Sequence, residues 1–237
     1  MSDAWYFRQL LAGRDFAVGE PLATAMRNFT YVLGDRSTGD AVLVDPAYRP
    51  RELVELVAAE GLRVTGAVAT HYHPDHVGGD LVGQHVDGVA ELAAMVDAPV
   101  HVQVEEVPWM VASAGLDEHQ LVAHHDHETL MVGTLGLQLW HTPGHTPGSQ
   151  CLLVDGRFIS GDTLFIDGCG RTDLPGGDAR EMYRTLHERL AMVSDDAVLF
   201  PGHLYSREPS LPMGEVRRRN QVLAERSPEQ WLAVFDP

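Results

Sequence analysis

A dense group of potential metal ligands follows a short apolar run at residues 66–70. The run is rich in small and β-branched residues and predicts a buried strand, so the ligands lie just past its carboxyl end. Residues two apart on an extended backbone point to the same side, which lets His71 and His73 face one ion. Asp75 and His76 lie in the turn that follows and can face a second position. Imidazole and carboxylate ligands together favour zinc or iron over calcium or magnesium.

Further histidines and aspartates follow other predicted strands. These strands and the candidates after them are 135–140 with His145, the hairpin of 151–154 and 158–160 with Asp162, and 197–200 with His203. Strand-end loops on one side of an α/β sheet gather ligands, so the candidates are expected to converge. They divide into two sites, formed by His71, His73 and His145 and by Asp75, His76 and His203. Asp162 is expected to bridge two ions, because each carboxylate oxygen offers lone pairs.

The rest of the pattern alternates strands with helices and predicts an α/β fold. Further strands are predicted over 5–11, 29–34, 41–44 and 98–102, and helices over 50–60, 89–96, 105–115 and a stretch capped by Asp178 and Glu181. With no linker or low-complexity tract, residues 1–237 are expected to form one domain. Its short helical tail at 206–237 is expected to hold one helix over 213–224. The histidine-rich segment 121–127 is interpreted as a polar turn of structural character.

Composition narrows the class of protein. The chain has 237 residues, 44% of them hydrophobic, and its two cysteines are too few for a disulfide framework. The start of the chain lacks a basic segment followed by an apolar core, and no apolar run approaches the ~20 residues of a membrane span. These features predict a cytoplasmic protein, with the choice between monomer and homodimer left open.

The negative net charge argues against proteins that bind nucleic acid or anionic lipid. The formal net charge is −17, from 34 acidic and 17 basic residues, and every basic residue is arginine. Such a field disfavours nucleic-acid backbones and anionic lipid as partners. An anionic substrate group must therefore be met by a local arginine or by backbone amides.

Four segments resemble, in order, the metal motifs of the metallo-β-lactamase-fold superfamily. They are the His-x-His-x-Asp-His loop at 71–76, Pro-Gly-His-Thr-Pro-Gly-Ser at 143–149, Gly-Asp-Thr-Leu-Phe at 161–165 and Pro-Gly-His at 201–203. The resemblance covers nearly the whole chain and implies an αββα sandwich of two mixed β-sheets flanked by helices. It also implies that Asp45 orients a histidine ligand, the alternative being a simple turn residue.

Residues 165–173 resemble two branches of this superfamily. Gly-Cys-Gly followed by Arg171 is similar to hydroxyacylglutathione hydrolase (glyoxalase II), in which the basic residue helps to hold the thiol carrier; Tyr205 would contact the same carrier. Gly-Arg-Thr-Asp followed by Gly-Gly-Asp is equally similar to the persulfide dioxygenases. The short helical tail and the added length at 81–88 depart from both branches.

The first hypothesis is a glyoxalase II-like thioesterase acting on a small-molecule thiol conjugate. Two divalent ions, zinc or alternatively iron or manganese, would fill both sites, with Asp75 and Asp162 as the catalytic carboxylates. Metal coordination lowers the pKa of water to about 7, so a bridging hydroxide can attack the thioester at neutral pH. The leaving thiolate, with a conjugate-acid pKa of about 8.5, needs no strong general acid.

Two alternatives remain. In a persulfide dioxygenase, the resemblance implies that His71, His145 and Asp162 hold one Fe(II), with open positions for dioxygen and the persulfide sulfur. In a protein of a different class, the same residues would belong to a non-catalytic metal-binding or interaction module. A β-lactamase is disfavoured because the chain has no export signal and no lysine, and a nuclease is disfavoured by the negative charge.

Overall fold

The computed structural model describes residues 5–235, whose strands form two six-stranded sheets and one small hairpin. In chain order the strands are β1 (Trp5–Leu11), β2 (Phe29–Asp35), β3 (Asp40–Val44), β4 (Arg63–Val68), β5 (Gly79–Leu81), β6 (Gln84–Val86), β7 (Val100–Gln103), β8 (Leu121–His124), β9 (Thr129–Val132), β10 (Leu135–His141), β11 (Gln150–Val154), β12 (Arg157–Gly161), β13 (Val198–Pro201) and β14 (Leu211–Pro212). The α-helices are α1 (Pro21–Met26), α2 (Pro50–Ala59), α3 (Pro74–Val77), α4 (Val89–Val96), α5 (Val107–Ser113), α6 (Ala179–Arg184), α7 (Met213–Arg219) and α8 (Pro228–Phe235).

Both large sheets are mixed. The first has the order β1-β2-β3-β4-β7-β8, with antiparallel pairs from β1 to β3 and parallel pairs from β3 to β8. The second has the order β14-β13-β12-β11-β10-β9, in which β12 and β13 form the parallel pair. Parallel neighbours end at the same edge of a sheet, so the loops after β4, β12 and β13 are free to meet beside the sheets.

Apolar side chains fill the space between the sheets. Tyr31 and Leu33 from β2 pack in one buried cluster with Leu139 from β10 and Leu152 from β11. Helices α2, α4 and α5 cover the outer face of the first sheet, and α6 and α7 cover that of the second. This arrangement confirms the expected αββα sandwich with two mixed sheets.

Helix α6 also fixes the loop that carries His145. The side chain of Asp178 accepts hydrogen bonds from the backbone N–H groups of Arg180 and Glu181, which caps the helix as predicted. The predicted reciprocal contact from Glu181 is absent from the bonds of this cap, because the Asp178 N–H donates to the carbonyl of Gly144 instead. The start of α6 is thereby tied to the residue directly before His145.

Two local expectations are wrong. The helix predicted over 213–224 ends at Arg219, because the Asn220 side chain turns the chain into a short 3-10 segment before α8 begins. The segment 121–127 is not only a turn, since it contains β8 at the edge of the first sheet. The added length at 81–88 forms most of the β5–β6 hairpin.

The tail packs on the second sheet's helical layer, where the Trp231 side chain is fully buried. None of the helices in residues 5–235 is long and apolar enough to cross a bilayer. The ends of the expected domain, residues 1–4 and 236–237, lie outside the described residues.

Candidate metal centre

Loops from both sheets bring the predicted ligands together at one edge of the sandwich. The loop after β4 and the short helix α3 carry the first four candidates, and the loops after β10, β12 and β13 carry one each. The structure forms three groups with potential ligand atoms within 4.8 Å of one another: His71, His73 and His145; His71, His76 and Asp162; and Asp75, His76 and His203. All seven predicted ligands therefore converge.

The first group consists of His71, His73 and His145, with ring centroids 4.6–4.7 Å apart. The Nε2 atom of His71 and the Oδ1 atom of Asp162 are buried and have no hydrogen-bond partner among the described residues. Leaving such an atom unpaired costs about 1–3 kcal/mol. An ion bound by both atoms would remove that cost, so this donor set fits a metal.

The second group consists of Asp75, His76 and His203. The Nε2 atoms of the two histidines are 3.1 Å apart, and each lies 3.5 Å from the Oδ2 atom of Asp75. Asp162 faces both groups, with Oδ1 3.3 Å from His76 and Oδ2 3.2 Å from His203 and 3.8 Å from His145. A tetrahedral ion with bonds of about 2.1 Å holds its ligand atoms about 3.4 Å apart, so these residues also fit a metal.

Asp45 orients histidines of both groups. Its Oδ2 atom accepts from His76 Nδ1 at 2.9 Å and from the Thr70 hydroxyl at 2.7 Å. The Thr70 hydroxyl oxygen in turn lies 3.0 Å from His71 Nδ1 and can accept its proton. Both imidazoles are thereby held with Nε2 toward the centre. Asp45 has a φ of +53°, a left-handed conformation that is rare outside glycine.

Carbonyl groups orient two further ligands in the same way. His145 Nδ1 lies 2.6 Å from the carbonyl oxygen of Arg171, and His203 Nδ1 lies 2.8 Å from that of Met26. Each ring then presents Nε2 to the centre. Arg171 thus has a backbone role in the metal centre that the sequence did not indicate.

The pKa values of the histidines differ between the two groups of ligands. Burial lowers the pKa of His71 and His145, and burial together with the neighbouring His145 lowers the pKa of His73 to about 4. Burial also acts to lower the pKa of His76, but the carboxylates of Asp162 and Asp75 outweigh it and raise the pKa to about 10. Without an ion, the first group is therefore neutral at pH 7 while His76 holds a proton.

Glu106 is a buried residue that the sequence reasoning missed. Its carboxylate accepts from the Tyr72 N–H at 2.7 Å, the Thr146 hydroxyl at 2.8 Å and the Gly148 N–H at 2.7 Å. It therefore joins the loop of His71 and His73 to the loop of His145. Burial raises the pKa of Glu106 to about 7, although these hydrogen bonds favour the charged form.

Asn28 and Tyr48 are also absent from the sequence-based candidates. The Asn28 Nδ2 atom donates to Asp75 Oδ2 at 3.0 Å and lies 3.2 Å from His76 Nε2. With His76 protonated the second contact is not a hydrogen bond, and Asn28 donates to Asp75 alone. The Tyr48 hydroxyl donates to Asn28 Oδ1 at 2.9 Å.

A cavity of about 470 Å³ opens onto the centre. Besides ligands from both groups, it is lined by Met26, Phe165, Asp167, Cys169, Gly170, Arg171, Leu174 and Tyr205. Tyr205 stacks on His203, with ring centroids 4.5 Å apart and an interplanar angle of 7°. The exposed guanidinium of Arg171 pairs with Asp173 at 2.7 Å. Both predicted carrier-binding residues thus border the cavity.

Histidines outside the metal centre contact other polar side chains. His101 and His124 are hydrogen-bonded to each other at 2.9 Å, and His124 also contacts Glu128 at 3.0 Å. His85 lies beside Asp87 and Glu91 in an exposed group.

The fold and this ligand set agree with comparisons to known proteins. The profile of the metallo-beta-lactamase superfamily matches residues 23–203. The chain is 31% identical over 185 residues to the mitochondrial persulfide dioxygenase ETHE1 of Homo sapiens, covering 75% of this chain and 64% of that protein. It therefore spans slightly less than two thirds of that relative.

Two further proteins show the breadth of the similarity. The crystal structure of ETHE1 from Myxococcus xanthus superposes with a TM-score of 0.80 at 28% identity, covering 98% of this chain and 90% of that one. Hydroxyacylglutathione hydrolase of Polaromonas sp. is 33% identical over 185 residues, 76% of this chain and 64% of that protein.

The chain belongs to the metallo-β-lactamase superfamily. Its histidine and aspartate groups mark a metal-dependent enzyme of that superfamily.

Proposed function

We propose that the protein is a dioxygenase that uses one iron(II) to oxidise the outer sulfur of a persulfide. The observation that carries this proposal is the closeness of His71, His145 and Asp162: His71 shares a ligand group with each of the other two, and His145 Nε2 lies 3.8 Å from Asp162 Oδ2. These two histidines and one carboxylate include two buried atoms, His71 Nε2 and Asp162 Oδ1, without a hydrogen-bond partner among the described residues. Iron(II) held by such a triad supplies open coordination positions for dioxygen and a sulfur anion. The similarity to persulfide dioxygenase ETHE1 of Homo sapiens and to ETHE1 from Myxococcus xanthus supports this choice over the thioesterase first expected from the sequence.

The proposed reaction balances without a further reductant. A persulfide R–S–SH, dioxygen and water give the thiol R–SH and sulfurous acid. The S–S bond breaks, four electrons pass from the two sulfur atoms to dioxygen, and water supplies the third oxygen of the product. The inner sulfur takes up one of the three protons supplied by the persulfide S–H and water and leaves as the thiol, and the other two protons stay with sulfurous acid.

The chain's own residues position the reactants. The Nδ1 protons of His71 and His145 are engaged by Thr70 and by the Arg171 carbonyl, which leaves Nε2 of each ring for coordination. Asp162 offsets one of the two charges of the ion, so the occupied site retains a net positive charge that attracts a persulfide anion. This local charge offsets the repulsion from the acidic surface of the chain.

The cavity accounts for the size of the substrate. Its volume of about 470 Å³ suits a small thiol conjugate, as ligand sites commonly enclose about 300–1,000 Å³. Phe165 and Leu174 supply apolar wall, and we propose that Arg171 and Tyr205 contact the polar part of the carrier. For Arg171 this requires the guanidinium to share or leave its pairing with Asp173.

The test is metal content followed by oxygen consumption. Protein purified without chelator and without a nickel column is expected to hold about one iron per chain. An oxygen electrode should then record uptake with glutathione persulfide, and sulfite should appear in equal amount to the oxygen consumed. Iron-loaded protein that consumes no oxygen with glutathione persulfide or coenzyme A persulfide would contradict the proposal.

A thioesterase remains the second candidate because Asp75, His76 and His203 also stand at metal-ligand spacing. The similarity to hydroxyacylglutathione hydrolase supports it. Close to two ions per chain, together with hydrolysis of S-lactoylglutathione, would select this function. A non-catalytic module would show neither activity and would keep its partner after removal of the metal.

A further inference from the structure

Asn28 lies against the second group of ligands without being one of them. Its Nδ2 atom donates to Asp75 Oδ2 at 3.0 Å and lies 3.2 Å from His76 Nε2. The same Asp75 oxygen faces His76 Nε2 and His203 Nε2, each at 3.5 Å. It is therefore the oxygen that an ion in this group would use, and Asn28 already contacts it.

Tyr48 fixes which end of the Asn28 amide faces the ligands. A phenol carries its proton at neutral pH, so the Tyr48 hydroxyl donates at 2.9 Å and Asn28 Oδ1 is the acceptor. The NH2 end must then point toward Asp75 and His76. An amide nitrogen offers no lone pair to a cation, and its hydrogens carry partial positive charge. The amide NH2 of Asn28 therefore opposes the binding of an ion. In the opposite orientation the amide would have offered its oxygen as a ligand.

The backbone of Tyr48 has an uncommon conformation that a hydrogen bond holds in place. Tyr48 has a φ of +75°, a conformation that is costly for a bulky side chain. Its N–H donates to the Asp87 carbonyl at 2.7 Å, which holds the residue in place. Both Tyr48 and Asn28 are buried, so water does not compete for these contacts.

We propose that Asn28, oriented by Tyr48, is a positioning residue that restricts the chain to one tightly bound ion by opposing a second ion at Asp75, His76 and His203. This inference deepens the proposed one-iron function and rests on it. It runs against the usual effect of residues that contact metal ligands, which is to strengthen metal binding. The reason is that Asn28 contacts the coordinating oxygen itself and presents only hydrogens to the space between the ligands.

The experiment is a titration of metal-free protein with zinc in competition with a chromophoric chelator. Wild-type protein should bind one zinc ion tightly and a second one weakly. Asn28→Ala removes the amide and should tighten the second ion by about tenfold, leaving the first ion unchanged within about twofold. Asn28→Asp supplies a carboxylate in the same place and should tighten the second ion further. Tyr48→Phe frees the amide to turn its oxygen inward and should act in the same direction, with a smaller effect.

Gln103→Ala is the matched control, since it removes another buried amide whose side chain donates to Gln150 and not to a ligand. It should leave both zinc affinities unchanged. A folded Asn28→Ala protein with an unchanged or weaker second site would overturn the inference. Should Asn28→Ala fail to fold, Tyr48→Phe decides the question, because phenylalanine fills nearly the same space.

The zinc titration tests the role of Asn28 independently of the oxygen-uptake test of the proposed function. Tighter binding of a second zinc ion in Asn28→Ala upholds the role of Asn28 even when wild-type protein shows no oxygen uptake with a persulfide. Oxygen uptake by a one-iron wild type, with no change of zinc affinity in any of the three variants, upholds the function and removes the role of Asn28.

Discussion

The metal centre has two halves, the first group of ligands (His71, His73 and His145) and the second group (Asp75, His76 and His203). The two halves use similar ligands but differ in which neighbouring groups contact the ligand atoms. In the first half, His71 Nε2 is buried without a hydrogen-bond partner among the described residues, and the imidazoles are neutral because burial lowers the pKa of each. In the second half, His76 faces two carboxylates that raise its pKa, and Asn28 donates to Asp75. A ligand motif therefore does not by itself determine how many ions are bound; the neighbours of each ligand matter equally.

The largest effect is expected at Asp162, the carboxylate that faces both halves. Asp162→Ala should lower activity and the affinity for the first ion by more than about 100-fold, because even residues that only orient ligands change affinity by about 10–100-fold. Metal analysis after dialysis measures the loss. Asp155→Ala, an exposed aspartate in the turn before β12, is the control and should retain its metal. Retention of tightly bound iron by Asp162→Ala would disprove the triad.

Glu106 is expected to matter mainly for the first half. Glu106→Gln loses one of the carboxylate oxygens that hold Tyr72 and Gly148, so the loops of His73 and His145 should separate more easily. The affinity for the first ion should fall by about tenfold or more, as measured by chelator competition. Glu105→Gln changes the exposed neighbour and should leave the affinity unchanged. An equal loss in both variants would argue against a specific role of Glu106.

A change in the second half, at His203, distinguishes a one-iron from a two-metal mechanism. In a one-iron dioxygenase His203→Ala removes a residue that is not a ligand, so oxygen uptake should fall by only about tenfold or less. In a two-metal thioesterase the same change should abolish hydrolysis of the thioester. Measuring both activities on one preparation decides between them; an unaffected thioesterase rate would rule out the two-metal mechanism.

Proton release gives the smallest and most direct contrast. The first ion meets neutral imidazoles, since burial and His145 hold the pKa of His73 near 4, so its binding should release almost no proton at pH 7. A second ion must displace the proton of His76, whose pKa is about 10 because Asp162 and Asp75 outweigh the effect of burial. Its affinity should therefore rise more steeply with pH than the affinity of the first ion. Calorimetry in two buffers of different ionisation enthalpy counts the protons; equal release for both ions would remove the electrostatic difference.

The ligands and the fold were predictable because they follow repeating rules. Strand periodicity placed His71, Asp162 and His203 after strand ends, and parallel strands bring such ends to one edge. The stretch over 213–224 misled because its apolar spacing continues past Asn220, where a side-chain cap ends α7.

The residues that support the ligands were not predictable from spacing. Glu106 follows Glu105 in a pattern typical of a solvated helix start, and its burial depends on the distant Gly148, where even a Cβ atom would lie 2.3 Å from the Glu106 nitrogen. Asn28 and Tyr48 are single polar residues whose importance comes only from contacts with Asp75 and with each other. Such contacts join parts of the chain that no local pattern connects.

The origin of the ligands in loops of both sheets has a consequence for folding. His71 and Asp75 belong to the first sheet and His145, Asp162 and His203 to the second, so the complete centre exists only after the sheets have docked. An ion that needs ligands from both sheets binds the native state and not the separate sheets. A higher concentration of the ion then shifts the unfolding equilibrium toward the native state by mass action. The metal would thereby act as a late cross-link between two layers that apolar packing and hydrogen bonds such as those of Glu106 bring together.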